Sequence, residues 1–461
     1  MDKLTDKENI LRLLRSRDQG NIELGLALAK STATDIQSFV GDINQLYQAK
    51  HGFSKADLAE KIVDIYTMEE FTIHKNVVLV EEFWNLDQLI TLHISALIER
   101  LPIEFTRLVK LKELNILDNH LTCLPSEIGN MVGLTTLRLN NNKLTTLPPE
   151  IGKLRNLVNL ILDENQISSL PGEVASLTEL RCLSLGRNGM TELPLEVTEI
   201  INLERLYVEE NQLKTLPSQI GNMISLKEFD LTHNPLESLP EEIGHLTNLT
   251  ELLLRYNKLQ SLPRSIGNLT SLRTLNVNNS QLTHLPDEIC NLPNLTELDI
   301  DYNELTSLPD EIGNLSNLTE FSVIATKLTT LPASIGKLTI SHSISFLHNK
   351  LMSLPPEISL LKVKSMFLLS NQLTNLPKEV AQMINLEIVD LEDNQFSEFP
   401  MAVLALSNLK ALRLNKNPLK TIPSEISRLQ SLKELNLFDT LLDKETKANV
   451  KTWLPNCQIH F

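Results

Sequence analysis

The chain has 461 residues, more than one hydrophobic core normally spans, so it holds several domains or a repeat array. Apolar residues make up 42% of it, which excludes wholesale disorder, and aromatics only 4%, so its core is aliphatic. The net charge of −16, from 58 acids against 42 bases, argues against nucleic acid and anionic membrane as partners, since both need a positive surface.

In chain order, residues 1–65 read as a helical N-terminal cap or small helical module. Four apolar stripes recur at helical spacing: Ile10, Leu11, Leu13 and Leu14; Ile22, Leu26 and Ala29; Ile36, Phe39, Val40, Ile43 and Leu46; and Leu58, Ile62, Val63 and Ile65. The charged start, MDKLTDKENILRLLRSRDQG, lacks the apolar run of a signal peptide, and no stretch approaches ~18 apolar residues. With four cysteines far apart (Cys123, Cys182, Cys290 and Cys457), free thiols and a cytoplasmic location are expected. Residues 66–88 read as a degenerate repeat, because EEFWNLDQL from Glu81 aligns with EEIGHLTNL from Glu241.

From residue 89 to 440 the prolines act as a ruler. Fifteen of the 21, from Pro102 to Pro423, are spaced 23 residues apart, apart from one 22-residue step between Pro355 and Pro377. One unit is LTELDIDYNELTSLPDEIGNLSN, residues 295–317. Its L-x-x-L-x-L segment alternates as a strand does, and the outer EIGNLSN has room for a helical turn at most. Such a strand buries one face only by stacking on its neighbours, so about 16 units form a solenoid around an aliphatic core. An Asn follows each strand, at Asn119, Asn142, Asn165, Asn188, Asn211, Asn234, Asn257, Asn303, Asn349, Asn371, Asn394 and Asn417, with Ser280 and Thr326 in its place twice. Asn has both donors and an acceptor, so a structural ladder satisfying the turns is expected. Residues 318–363 break the pattern: Ser341 replaces the opening Leu, and one residue is missing before Val363. Residues 441–461 read as a helix and then a strand, a C-terminal cap.

The motif L-x-x-L-x-L-x-x-N-x-L-x-x-L-P-x-x-I-G-x-L is that of leucine-rich repeats. Its 23-residue form resembles the intracellular class of Ras-suppressor proteins, scribble/LAP scaffolds, plant Ras-group leucine-rich proteins and bacterial cytoplasmic repeat proteins. The resemblance implies an α/β solenoid, a horseshoe with a concave parallel β-sheet and short turns or 3-10 segments on the convex side. It also implies a protein partner in intracellular signalling, with a small GTPase or phosphatase as examples.

No phosphate loop, kinase signature, H-E-x-x-H or G-x-S-x-G occurs, and His342 with His348 lacks a third ligand, so neither catalysis, cofactor nor metal is expected. The outward positions of the strands are then the candidate site. Two features mark them. Acidic residues, Asp163, Glu209, Asp299, Asp301, Asp390 and Glu392, with Tyr207, Tyr256 and Tyr302 among them, suit a basic partner. Apolar Ile324, Leu347, Phe367 and Leu369 occupy three successive strands where water-facing residues belong. A binding scaffold follows; the alternative is a structural protein that self-associates through the patch around Phe367.

Overall fold

The computed structural model describes residues 6–51, 56–74, 80–95 and 97–461. The first five residues of the charged N-terminal stretch lie outside them. The chain divides into two compact units, residues 1–190 with 194–207, and residues 191–193 with 208–461.

The first unit opens with four helices: α1 Asp6–Leu14, α2 Gln19–Ser31, α3 Gln37–His51 and α4 Leu58–Thr67. Asp18 caps α2 by accepting the Asn21 N–H at 2.9 Å, and Asp57 with Glu60 forms a capping box on α4. Each stripe is buried in part, by Ile10 and Leu14, Ile22 and Ala29, Phe39, Ile43 and Leu46, and Ile62 and Ile65. A buried polar knot ties the helices to the next segment. Arg15 Nε and Nη2 donate to the two Glu82 oxygens at 2.8 and 3.1 Å, and the Tyr66 hydroxyl donates to Glu82 as well. Glu82 is 4% exposed, so these bonds compensate a charge that would otherwise be costly to bury.

Seven parallel strands follow: β1 Glu70–His74, β2 Thr91–Ser95, β3 Glu113–Ile116, β4 Thr136–Arg138, β5 Asn159–Ile161, β6 Cys182–Ser184 and β7 Arg205–Tyr207. Each pairs with the next, with Leu92, Leu114, Leu137, Leu160, Leu183 and Leu206 in one register.

The second unit continues the pattern with β8 Glu228–Asp230, β9 Glu251–Leu253, β10 Thr274–Asn276, β11 Glu297–Asp299, β12 Glu320–Ser322, β13 Ser343–Ser345, β14 Ser365–Phe367, β15 Ile388–Asp390, β16 Ala411–Arg413 and β17 Glu434–Asn436. Helix α5, Lys444–Trp453, and β18, Gln458–His460, complete it, and β18 pairs in parallel with β17.

Between strands the chain makes short 3-10 turns. The Pro of each Leu-Pro corner supplies the first acceptor: Ile220 N–H donates to Pro217 O at 3.0 Å and opens the turn Ser218–Asn222. The glycine of the Ile-Gly pair lets successive turns pack closely. A Cβ at Gly129 would lie 2.8 Å from the Glu150 carbonyl oxygen, and one at Gly313 would run into that of Ser334.

The irregular stretch keeps its core by moving one residue. Leu338 stays extended (ψ 139°) instead of turning, Ser341 is exposed, and Ile340, 2% exposed, fills the place of the missing opening Leu. Leu361 extends likewise (ψ 140°), which absorbs the deletion, and Val363 is 1% exposed.

Candidate protein-binding face

Alternation sends the motif leucines inward and the residues between and after them outward. After each of β3–β17 the chain turns through a left-handed residue. Asp118, Asn141, Glu164, Arg187, Glu210, His233, Tyr256, Asn279, Tyr302, Ala325, His348, Ser370, Asp393, Lys416 and Asp439 all have φ between 52 and 56°. None is a glycine. None is β-branched either, the type to which this region is most hostile, and seven are Asn, Asp or His, which tolerate it best; these are the traces the turn leaves in the sequence.

The ladder asparagines hold these turns. Asn257 Nδ2 donates to Leu231 O at 3.0 Å and Leu254 O at 2.8 Å, while its Oδ1 accepts the Leu236 N–H at 3.1 Å. Asn142, Asn165, Asn234, Asn303, Asn371, Asn394 and Asn417 repeat the two donations. Asn119, Asn188, Asn211 and Asn349 are equally buried and bond the same turns. Ser280 keeps one donation, to Leu254 O at 2.9 Å, and the Thr326 hydroxyl bonds Asn349 Oδ1.

The acids do not form the uniform solvated set that alternation alone suggests. In the first unit Asp163 is largely buried. It accepts the Gly186 N–H at 2.8 Å, Asn140 Nδ2 at 3.0 Å and the Ser184 hydroxyl, and burial pushes its carboxyl up. Tyr207, on β7, is half-buried.

In the second unit Asp301 repeats that arrangement. It is 8% exposed, accepts the Ile324 N–H at 2.7 Å and faces the Ser322 hydroxyl, and burial followed by the Asp299 charge pushes its carboxyl up to about 6. In both cases the Ser lies 21 residues after the Asp, a spacing present in the sequence and overlooked there. Asp299, half-buried, accepts Asn276 Nδ2 at 2.8 Å. Asp390 is 7% exposed; burial raises its pKa although Arg413 stands 3.4 Å away. Burial also opposes ionisation of Glu392, but hydrogen bonds from Lys416, at 2.7 Å, and Asn415 outweigh it and hold that carboxyl low. Glu209 is half-buried. Tyr256 and Tyr302 stand out at the left-handed positions, 50% and 56% exposed, with Tyr256 stacked on His233 at 4.1 Å between ring centroids.

The four apolar residues come together. Backbone bonds from Ala325 to Leu347 and from His348 to Leu369, both 2.9 Å, set Ile324, Leu347 and Leu369 side by side on consecutive strands. Phe367 lies on the strand of Leu369, in register with Ser345 and Asp390. All four are half-buried by their neighbours. Within and near the strip are polar atoms that sequence reasoning missed. Ser345 Oγ within the strip, and Asn278 Oδ1 and Asn415 Oδ1 two strands from either edge of it, are buried with no hydrogen-bond partner among the described residues.

Reactive chemistry is scant elsewhere. Burial raises the Cys290 and Cys457 thiols to about 11, which keeps them protonated and poorly nucleophilic. Among the described residues no group of three or more His, Cys, Asp or Glu could hold a metal ion, and no helix is long and apolar enough to cross a membrane.

Known proteins bear on this face. Residues 159–258 and 241–339 match a leucine-rich repeat region model, and residues 133–154 match a leucine-rich repeat model. A leucine-rich repeat protein of Leptospira interrogans is 31% identical over 93% of this chain and 98% of its own, with a TM-score of 0.61. The chain belongs to the leucine-rich repeat proteins. The leucine-rich repeat ectodomain of an Arabidopsis thaliana membrane receptor kinase, solved in complex with Casparian strip integrity factor 2, is 26% identical over 78% of this chain and 51% of its own, with a TM-score of 0.52. The functional domain of InlJ from Listeria monocytogenes shares the fold at 20% identity, over 86% of this chain and 80% of its own, with a TM-score of 0.57. No curated protein matches the chain. Leucine-rich repeat arrays typically serve as surfaces for protein–protein interaction and are generally not enzymes.

Proposed function

We propose that this leucine-rich repeat protein is a non-enzymatic scaffold that binds a protein partner on the outward face of its strands. The observation that carries this reading is the strip of Ile324, Leu347, Leu369 and Phe367, apolar side chains gathered where solvent-facing residues belong. Contiguous apolar surface of this kind marks contact sites, and an aromatic at its centre suits a binding anchor. Tyr207, Tyr256, Tyr302 and the acids Asp163, Glu209, Asp299, Asp301, Asp390 and Glu392 complete the candidate set.

The resemblance to the intracellular 23-residue class supports a cytoplasmic role in signalling, with a small GTPase or phosphatase as the candidate partner. Residues 1–65, then 66–88, and finally 441–461 serve in this reading as the helical cap, the degenerate first repeat and the C-terminal cap of the array at 89–440. Terminal repeats need such covers, because an open end exposes apolar core.

Affinity capture with a photo-crosslinking residue at position 347 tests the reading. The expected result is a specific protein crosslinked to the strip and lost on Phe367→Ser. Crosslinks confined to other faces, or capture indifferent to Phe367, would defeat it. A crosslinked homodimer would favour the structural, self-associating alternative.

A further inference from the structure

The outward positions of β9–β14 restrict the chemistry of the partner, given the protein-binding reading above on which this inference rests. On β9–β12 three columns run side by side: Glu251, Thr274, Glu297 and Glu320; Leu253, Asn276, Asp299 and Ser322; and Arg255, Asn278, Asp301 and Ile324. They contain five carboxylates and one cation, Arg255. Among the described residues none of those five carboxylates is in an ion pair; the pairs nearest in sequence are Arg264–Glu288 and Lys327–Glu304. The charges repel one another: burial, then Glu228, Asp230 and Glu297, push the Glu251 carboxyl up.

On the other side of the apolar strip the acids are already compensated. Arg413 sits between Asp390 and Glu434 at 3.4 and 3.3 Å, Lys416 holds Glu392 at 2.7 Å, and Lys410 holds Glu387 at 2.6 Å. Among the described residues, uncompensated negative charge therefore adjoins the strip at β9–β12, and it is rimmed by the exposed rings of Tyr256 and Tyr302, which attract cations through their faces. The unpartnered Asn278 Oδ1 and Ser345 Oγ lie in the same columns, one on the acidic side and one in the strip. They suit the free backbone groups of an extended chain, which a helix would spend internally.

We propose that β9–β14 bind an extended segment of a partner protein in which a cluster of Lys or Arg, held over Glu251, Glu297, Asp299 and Glu320, is followed closely by large apolar side chains held by Ile324, Leu347, Phe367 and Leu369. The span from β10 to β13 is three strand spacings, ~14 Å, which an extended chain covers in about four residues. The partner's cations relieve the repulsion among the carboxylates, and its apolar residues cover the strip.

Fluorescence anisotropy on the full chain tests this with the labelled peptide RKRSGSLFL and two controls, EDESGSLFL and RKRSGSGSG. The expected result is binding of the first peptide alone, weakening with salt and weakened by about tenfold or more in Phe367→Ser and in the triple variant Glu251→Gln, Asp299→Asn, Glu320→Gln. Thermal melts verify that both variants fold, and Phe438→Ser, an exposed apolar change just beyond β17, is expected to bind as the parent does. Equal binding of the acidic peptide, or indifference to the triple variant, overturns the basic-segment assignment but leaves the strip as a protein contact if Phe367→Ser still acts. No binding by any peptide, or self-association abolished by Phe367→Ser, likewise overturns it. Unchanged peptide binding and unchanged crosslinking in Phe367→Ser would bring down both readings.

Discussion

Strands β9–β11 and β12–β14 share one inward face and have opposite outward ones. Inward, Leu252, Leu254, Leu275, Val277, Leu298 and Ile300 on the first set correspond to Phe321, Val323, Ile344, Phe346, Met366 and Leu368 on the second, and none is more than 3% exposed. Outward, carboxylates and amides, the last of them Glu320 at the start of β12, give way to isoleucine, leucine and phenylalanine. Close packing dictates the inward residues, whereas the outward ones are free to differ, and so record what they meet. Each set has one substitution in the ladder, Ser280 and Thr326, and the second also has Leu338 and Leu361 extended in its turns.

The sharpest way to break the comparison is to truncate one phenylalanine of each kind in the second set. Phe346 is fully buried, edge-on to Phe321 at 6.3 Å; Phe346→Ala should cost ~3–5 kcal/mol. Phe367→Ser, on the outward face, should cost about 1 kcal/mol or less. Equal losses in denaturant melts would abolish the distinction between core and face.

The ladder gives the next largest effect. Asn257→Ala strands the Leu231 carbonyl and the Leu236 N–H in a buried turn and leaves the Leu254 carbonyl to the Ser280 hydroxyl, a loss of ~2–3 kcal/mol. Thr326→Asn should run the other way and gain about 1 kcal/mol, by restoring donations that a hydroxyl cannot make. A destabilised Thr326→Asn would show that the irregular turn has its own optimum.

Asp301 sharpens the outward side. Its carboxyl is raised from 3.8 to about 6, chiefly by burial, so across that window the folded chain binds the proton more tightly than the unfolded chain does. The penalty is absent below the unfolded pKa and complete above the folded one. Asp301→Asn, which keeps an acceptor for the Ile324 N–H, should therefore raise Tm by roughly 2 °C at neutral pH, with the gain vanishing below about pH 4. A pH-independent gain would point to packing instead.

The smallest effect lies in the left-handed column. Asn279 and Ala325 have φ of 54 and 53°, a region Asn tolerates better than Ala. Ala325→Asn should add about 0.5 kcal/mol by relieving that strain, read from the urea midpoint.

The repeat made the strands, the inward leucines and the ladder asparagines legible, because each obeys a fixed spacing. It also pointed to Ile324, Leu347, Phe367 and Leu369 as outward residues, since alternation assigns a face without coordinates. It did not show how the acids are held: Asp163, Asp301 and Asp390 occupy outward positions and are hydrogen-bonded within the sheet.

Sequence by itself determined the period, and with it the parallel stack, because a one-faced strand repeated every 23 residues has no other way to bury its leucines. Only the tertiary structure decided which carboxylates are compensated and which are not. Arg413 reaches Asp390 and Glu434 across neighbouring strands, while Glu251 faces Glu228, Asp230 and Glu297. Those partners lie one or two repeats apart in sequence and come together only when strands stack in register, so the field on the face belongs to the assembled sheet and not to any single repeat.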